Sequence, residues 1–109
     1  MSNIKSIDVD ALNSLWASNP GLCVIDVRED HEWKLAHIDK AHHIPKDTIT
    51  NKINGVCPDK AQAIYLQCRS GGRSLWAAQQ LADMGYQDLY NVEGGIMDWV
   101  RHGFDVVEG

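Results

Sequence analysis

Two short stretches, LCVIDV from Leu22 to Val27 and AIYLQ from Ala63 to Gln67, are continuously apolar rather than alternating. A strand with one face in water would alternate, so these runs predict strands covered on both faces, as in a parallel sheet between two layers of helices. Ala41 to Pro45 and Asp88 to Val92 read as two more strands, and Ile4 to Ile7 as a short edge strand. Helical patterns fall between them: Val9 to Trp16 with Asp8 as N-cap, Glu29 to Ala36, Thr48 to Ile53, Gly72 to Met84 stopped by Gly85, and Ile96 to His102 stopped by Gly103. The expected architecture is an open α/β sheet with helices on both faces, in which ligands bind at the carboxyl ends of the strands. Asp26 and Cys68 both lie at such ends.

The 109 residues make one domain with its own core and leave no room for a second. A net charge of −5 provides no basic footprint, so neither nucleic acid nor an anionic membrane surface is an expected partner. The amino-terminal MSNIKSIDVD is acidic where a secretion signal needs an apolar stretch, and no run approaches the ~18 apolar residues of a membrane span. A soluble, cytoplasmic protein is expected. In that reducing compartment three cysteines, Cys23, Cys57 and Cys68, with no CxxC spacing argue against a disulfide framework and against a structural zinc site. At least one thiol is then free for chemistry.

The candidate is Cys68, which closes an apolar run and opens CRSGGRS, after which the pattern turns helical. Ala77, Ala78, Leu81, Ala82 and Met84 give that helix an apolar face with small residues, so it lies close on the sheet and its first turn points at the loop. Free N–H groups at a helix start, joined by those of a glycine turn, form a cradle for negative charge. Gly71 and Gly72 are expected to supply the unusual dihedrals, and Arg69 and Arg73 to favour a thiolate. The plain alternative is a buried cysteine ending a strand before a flexible turn. Two arginines and two glycines between strand and helix have no evident packing role, which favours the chemical reading.

Four segments in order resemble the rhodanese family over nearly the whole chain. IDVREDHEW (Ile25 to Trp33) resembles the family's DVRExxE-aromatic segment, AHIDKAHHIP (Ala36 to Pro45) its GHIPGAxxIP segment, CRSGGRS its active-site loop, and NVEGGIMDW (Asn91 to Trp99) its GG-x-x-x-W signature. Ala36, Asp39 and Lys40 stand where the family usually has Gly, Pro and Gly. The resemblance implies a rhodanese-like α/β fold, a five-stranded parallel sheet flanked by helices on both faces. It places the nucleophile on Cys68 and the substrate-binding amides on Arg69, Ser70, Gly71, Gly72 and Arg73. The family's sulfurtransferases have a six-residue loop and the related phosphatases seven; Cys68 to Arg73 is six.

Asp26 and Arg28 read first as an ion pair holding a turn and are kept as supporting residues. His31 and His37, six apart, lie about 240° apart round a helix and cannot share a face, so HEWKLAH is not read as a metal site. Cys23, inside an apolar run, reads as a small hydrophobe, while Cys57 is a resolving thiol only if the fold brings it to Cys68. The tryptophans read as anchors of helices on the sheet, with Trp76 a possible wall of the site. The expected activity is sulfur transfer from thiosulfate or a similar donor, through a persulfide on Cys68, to a thiol or cyanide, with no cofactor or metal required. The alternatives are a persulfide carrier or sensing module serving a protein partner, and a Cdc25-like phosphatase or arsenate reductase, which the loop length disfavours.

Overall fold

The structure, a computed structural model, describes residues 3–109. Its five strands are β1 (Ile4–Ile7), β2 (Cys23–Asp26), β3 (His42–His43), β4 (Ala63–Gln67) and β5 (Asp88–Val92). They form one sheet in the order β1-β5-β4-β2-β3, and every pairing is parallel. The five α-helices are α1 (Val9–Ser18), α2 (Asp30–Leu35), α3 (Ile49–Val56), α4 (Gly72–Asp83) and α5 (Gly95–Arg101).

The two continuous apolar runs are the central strands. β4 lies between β5 and β2, and its residues face the two helical layers in turn: Ile64 and Leu66 pack in one core with α3 and α4, Tyr65 in the other with α1 and α5. Ala77 and Ala78 are wholly buried, and their small side chains let α4 lie close against the sheet. Leu12, Leu66 and Leu81, also wholly buried, each contribute roughly 1.5–3 kcal/mol by leaving water. Trp16 and Trp99 meet between α1 and α5 with ring centroids 6.2 Å apart. Asp8 caps α1 as expected, its carboxylate accepting from the Ala11 amide at 2.8 Å.

The expected strand at Ala41 to Pro45 shrinks to two residues, His42 and His43, paired with Ile25 and Asp26. Pro45 has no N–H to extend the ladder, and the chain turns there into a single 3₁₀ turn, Lys46–Thr48. Just upstream, Lys40 adopts φ 72°, the left-handed region in which glycine is at home. A lysine thus holds a left-handed turn, at a cost of about 1–2 kcal/mol.

One expectation about sulfur is overturned. Cys23 and Cys57 form a disulfide, S–S 2.09 Å, where the expected reducing compartment and three cysteines without CxxC spacing argue against one. The start of β2 and the residue after α3 lie in the same packed layer, so a separation of 34 residues in sequence closes in space. Cys68 is the free cysteine.

Candidate active site

Cys68 follows β4 at the carboxyl edge of the sheet, next to the end of β2, where Asp26 pairs in register with Gln67. The chain then turns sharply. Gly71 takes φ 122°, a conformation an L side chain rarely adopts, and this aims its amide at the Cys68 Sγ, 3.1 Å away. Gly72 has an ordinary helical backbone and starts α4; the unusual dihedral belongs to Gly71 alone of the two. Burial of the residue, 1% exposed, pushes the Cys68 thiol up, but the Ser74 hydroxyl and the amides of Ser74, Gly71 and Ser70 outweigh it and bring the thiol below its ordinary value. Sγ lies 3.3 Å from the Ser74 Oγ. The cradle is built of short dipoles rather than of full charges.

The two arginines of the loop differ. Arg73 turns away and donates to both carboxylate oxygens of Glu32 on α2, at 2.6 and 2.9 Å. This bidentate pair holds Glu32 down to about 2 and raises Arg73. Arg69 is exposed and makes no ion pair among the described residues; the exposed Ser70 follows it. Asp26 is fully buried and takes the Arg28 backbone amide at 2.9 Å together with its Nε and guanidinium N–H groups. Arg28 also donates to the Ala36 carbonyl at 2.7 Å, tying the end of β2 to the end of α2. Asp26 and Arg28 therefore hold the helix that carries Glu32.

Four residues the sequence reading passed over complete the site. Glu32 was visible only as part of a segment. Ser74 and Asn91 meet beside the sulfur, Ser74 Oγ donating to Asn91 Oδ1 at 2.5 Å, and Asn91 Nδ2 donating to the Gly71 carbonyl at 3.2 Å. The buried Gln67 donates Nε2–H to the Cys68 carbonyl at 2.8 Å, which also accepts from the Ile96 amide at 2.9 Å. Gln67 ends β4 and Asn91 lies one residue from the end of β5, and a polar residue near the carboxyl end of a buried strand is the one signal that could have found them.

The second glycine pair also acts on the loop. Gly95, φ 54°, sits where a Cβ would collide with the backbone of Cys68 and Arg69. Without one, α5 docks its first amides on the loop, Ile96 on the Cys68 carbonyl and Met97 on that of Arg69 at 3.1 Å. Trp76, 42% exposed, stands one turn into α4 with the Lys46 ammonium 4.7 Å from its ring centre. His37 stacks on Trp33 and gives its Nδ1–H to the Trp33 carbonyl at 3.0 Å. A hollow of about 450 Å³ lined by Trp16, Lys40, Trp99 and Phe104 contains no loop residue, so the chemistry and not the volume assigns the site. Cys57 cannot serve Cys68: its partner Cys23 pairs with Ile64, four residues and about 13 Å back along β4.

Residues 8–102 match the family described as the rhodanese-like domain. A protein of Allochromatium vinosum named as a sulfurtransferase is 32% identical over 104 residues, covering 95% of either chain. The chain belongs to the rhodanese family. The rhodanese-like domain protein of Staphylococcus aureus has a solved structure with a TM-score of 0.83, 32% identical over 96% of this chain and 98% of its own. A Bacillus subtilis protein named "Putative sulfur carrier protein YrkF" is 34% identical, but the match takes in 90% of this chain and only 52% of that protein. These two relatives are named for sulfur transfer and for sulfur carriage. No helix among the described residues is long and apolar enough to cross a membrane.

Proposed function

We propose that the protein is a sulfurtransferase that moves a sulfane sulfur from thiosulfate, or a donor like it, to a thiol or cyanide through a persulfide on Cys68. The observation that carries this reading is the Cys68 sulfur seated in a six-residue loop whose amides, with the Ser74 hydroxyl, favour its anion. The thiolate attacks the outer sulfur of the donor; the new S–S bond forms as the donor's breaks, and sulfite leaves with the electron pair. An acceptor thiolate or cyanide then attacks the outer sulfur of the persulfide, and the Cys68 thiolate is the leaving group. The loop amides stabilise negative charge on sulfur at each stage, in place before the reaction begins.

Exposed Arg69 suits an anionic donor, because a guanidinium offers paired donors to sulfonate-type oxygens. Arg73, held by Glu32, is not available for that contact in the geometry observed. A carrier role, with a protein thiol as acceptor, uses the same loop and finds support in the name of the Bacillus subtilis relative. Intact mass tests the core of the proposal. Thiosulfate should add the mass of one sulfur atom to the native protein and cyanide should remove it, whereas Cys68→Ser should gain nothing. Sulfur retained on Cys68→Ser, or phosphate release from an aryl phosphate matching sulfur transfer in rate, would overturn it.

A further inference from the structure

Beside the sulfur lies a polar pair. Asn91, at 8% exposure, spends both ends of its amide on the loop region. Its Nδ2 donates to the Gly71 carbonyl, which can only accept; this fixes the amide orientation and turns Oδ1 toward the Ser74 hydroxyl at 2.5 Å. Ser74, wholly buried, owns a single proton and three acceptors within reach: Asn91 Oδ1, the Gly71 carbonyl at 3.2 Å and the Cys68 Sγ at 3.3 Å. A serine in the first turn of a helix that merely satisfied a backbone carbonyl would need only the second of these. The shortest contact puts the proton on Asn91, so a lone pair of Oγ faces the sulfur.

We propose that Ser74, anchored by Asn91, is a positioning residue whose hydroxyl accepts from the Cys68 sulfur as a thiol and donates to it as an anion. The inference rests on Cys68 being the sulfur carrier. In the thiol form the S–H donates to Ser74 and Ser74 donates to Asn91. Loss of the thiol proton to a solvent base leaves an anion facing a lone pair, and rotation about the Cβ–Oγ bond, with no heavy atom moving, presents the proton to Sγ. Once a persulfide has formed, the charge sits on the outer sulfur and Sγ is neutral, so the proton returns to Asn91. The Cys68 thiol lies below its ordinary value despite burial, and the Ser74 hydroxyl is foremost among the groups that bring it down.

The test reads thiolate absorbance at 240 nm against pH, with the curve of Cys68→Ser subtracted, so it requires neither a sulfur donor nor access to the buried sulfur. Ser74→Ala removes one oxygen from a helix and should move the midpoint to higher pH. The thiolate-to-thiol ratio at a fixed pH below the midpoint should fall about tenfold, the worth of one hydrogen bond to a charged group. Ser74→Thr retains the hydroxyl and should titrate as the native protein does. In the Ser74→Ala background, Asn91→Ala should leave the midpoint where it is, because Asn91 acts through the hydroxyl. The other charged groups of the loop, Arg69 and Arg73 with its partner Glu32, are the same in all these proteins. A native midpoint in Ser74→Ala, or a further rise on adding Asn91→Ala, overturns the proposal. Asn91→Asp gives a second reading should Ser74→Ala not fold: its carboxylate holds the serine proton and adds charge, so an unmoved midpoint would likewise overturn it. Failure to load sulfur with these titrations as expected would count against sulfur transfer and not against Ser74.

Discussion

Replacing Glu32 by Gln removes one charge from the pair that joins α2 to the cysteine loop while keeping the shape of the side chain. In the native protein the Arg73 guanidinium, with help from the Glu29 amide, lowers the Glu32 carboxyl from 4.5 to about 2 against the opposing effect of burial. That drop corresponds to roughly 3 kcal/mol. The two side chains keep 20% and 30% of their surface in water, so screening leaves about 1–2 kcal/mol of it. A carboxyl whose folded value is depressed stabilises the fold above its unfolded value, and the contribution is lost as pH falls through the folded one. Urea unfolding should therefore find Glu32→Gln about 1–2 kcal/mol less stable at pH 7. The gap should close as pH falls from 4.5 toward 2, because only the native protein takes up the extra proton. A gap that stays constant through that window, or no gap at pH 7, would refute the reasoning.

Arg69→Ala should lower kcat/KM for thiosulfate about ten- to a hundredfold, the loss of one charge-assisted contact, with little effect on a neutral persulfide donor and a smaller difference in high salt. Equal losses on both donors in a steady-state assay would show that Arg69 acts on the Cys68 thiolate instead. Lys40→Gly should stabilise the fold by about 0.5–1 kcal/mol in chemical denaturation, since relief of the left-handed lysine exceeds the added freedom of the unfolded chain. Gly95→Ala should destabilise by more than about 2 kcal/mol and impair sulfur loading, because its methyl group enters the backbone of Cys68 and Arg69; native stability and loading would show that α5 does not brace the loop.

The elements were legible wherever burial imposed a pattern. β4 and β5 begin and end where predicted, and every helix is present within a few residues, because a strand covered on both sides leaves a short apolar run and a helix lying on a sheet leaves a periodic one. Cys68 and its loop were legible for another reason: Gly, Arg and Ser between strand and helix serve no packing need. What stayed hidden depends on which residues the fold brings together. The partners of Arg73 and Ser74 lie 41 and 17 residues away, and nothing in the sequence pairs Glu32 with Arg73 or Asn91 with Ser74. Nor does it announce the Cys23–Cys57 bond, because thiols 34 residues apart meet only once β2 and α3 share a core. Gly72 was misjudged since adjacent glycines look alike until one of them makes the turn.

The disulfide also sets the fate of any sulfur that Cys68 acquires. In a protein with a second thiol near the first, a loaded persulfide discharges within the molecule, forming a disulfide and releasing its cargo as sulfide. Here both other sulfurs are bonded to one another at the amino-terminal end of β2, away from the loop. The outer atom carried by Cys68 can leave only to something that arrives from outside. Its residence time is then decided by the encounter with an acceptor, and a molecule so arranged holds its charge between meetings like a loaded battery with no internal short circuit.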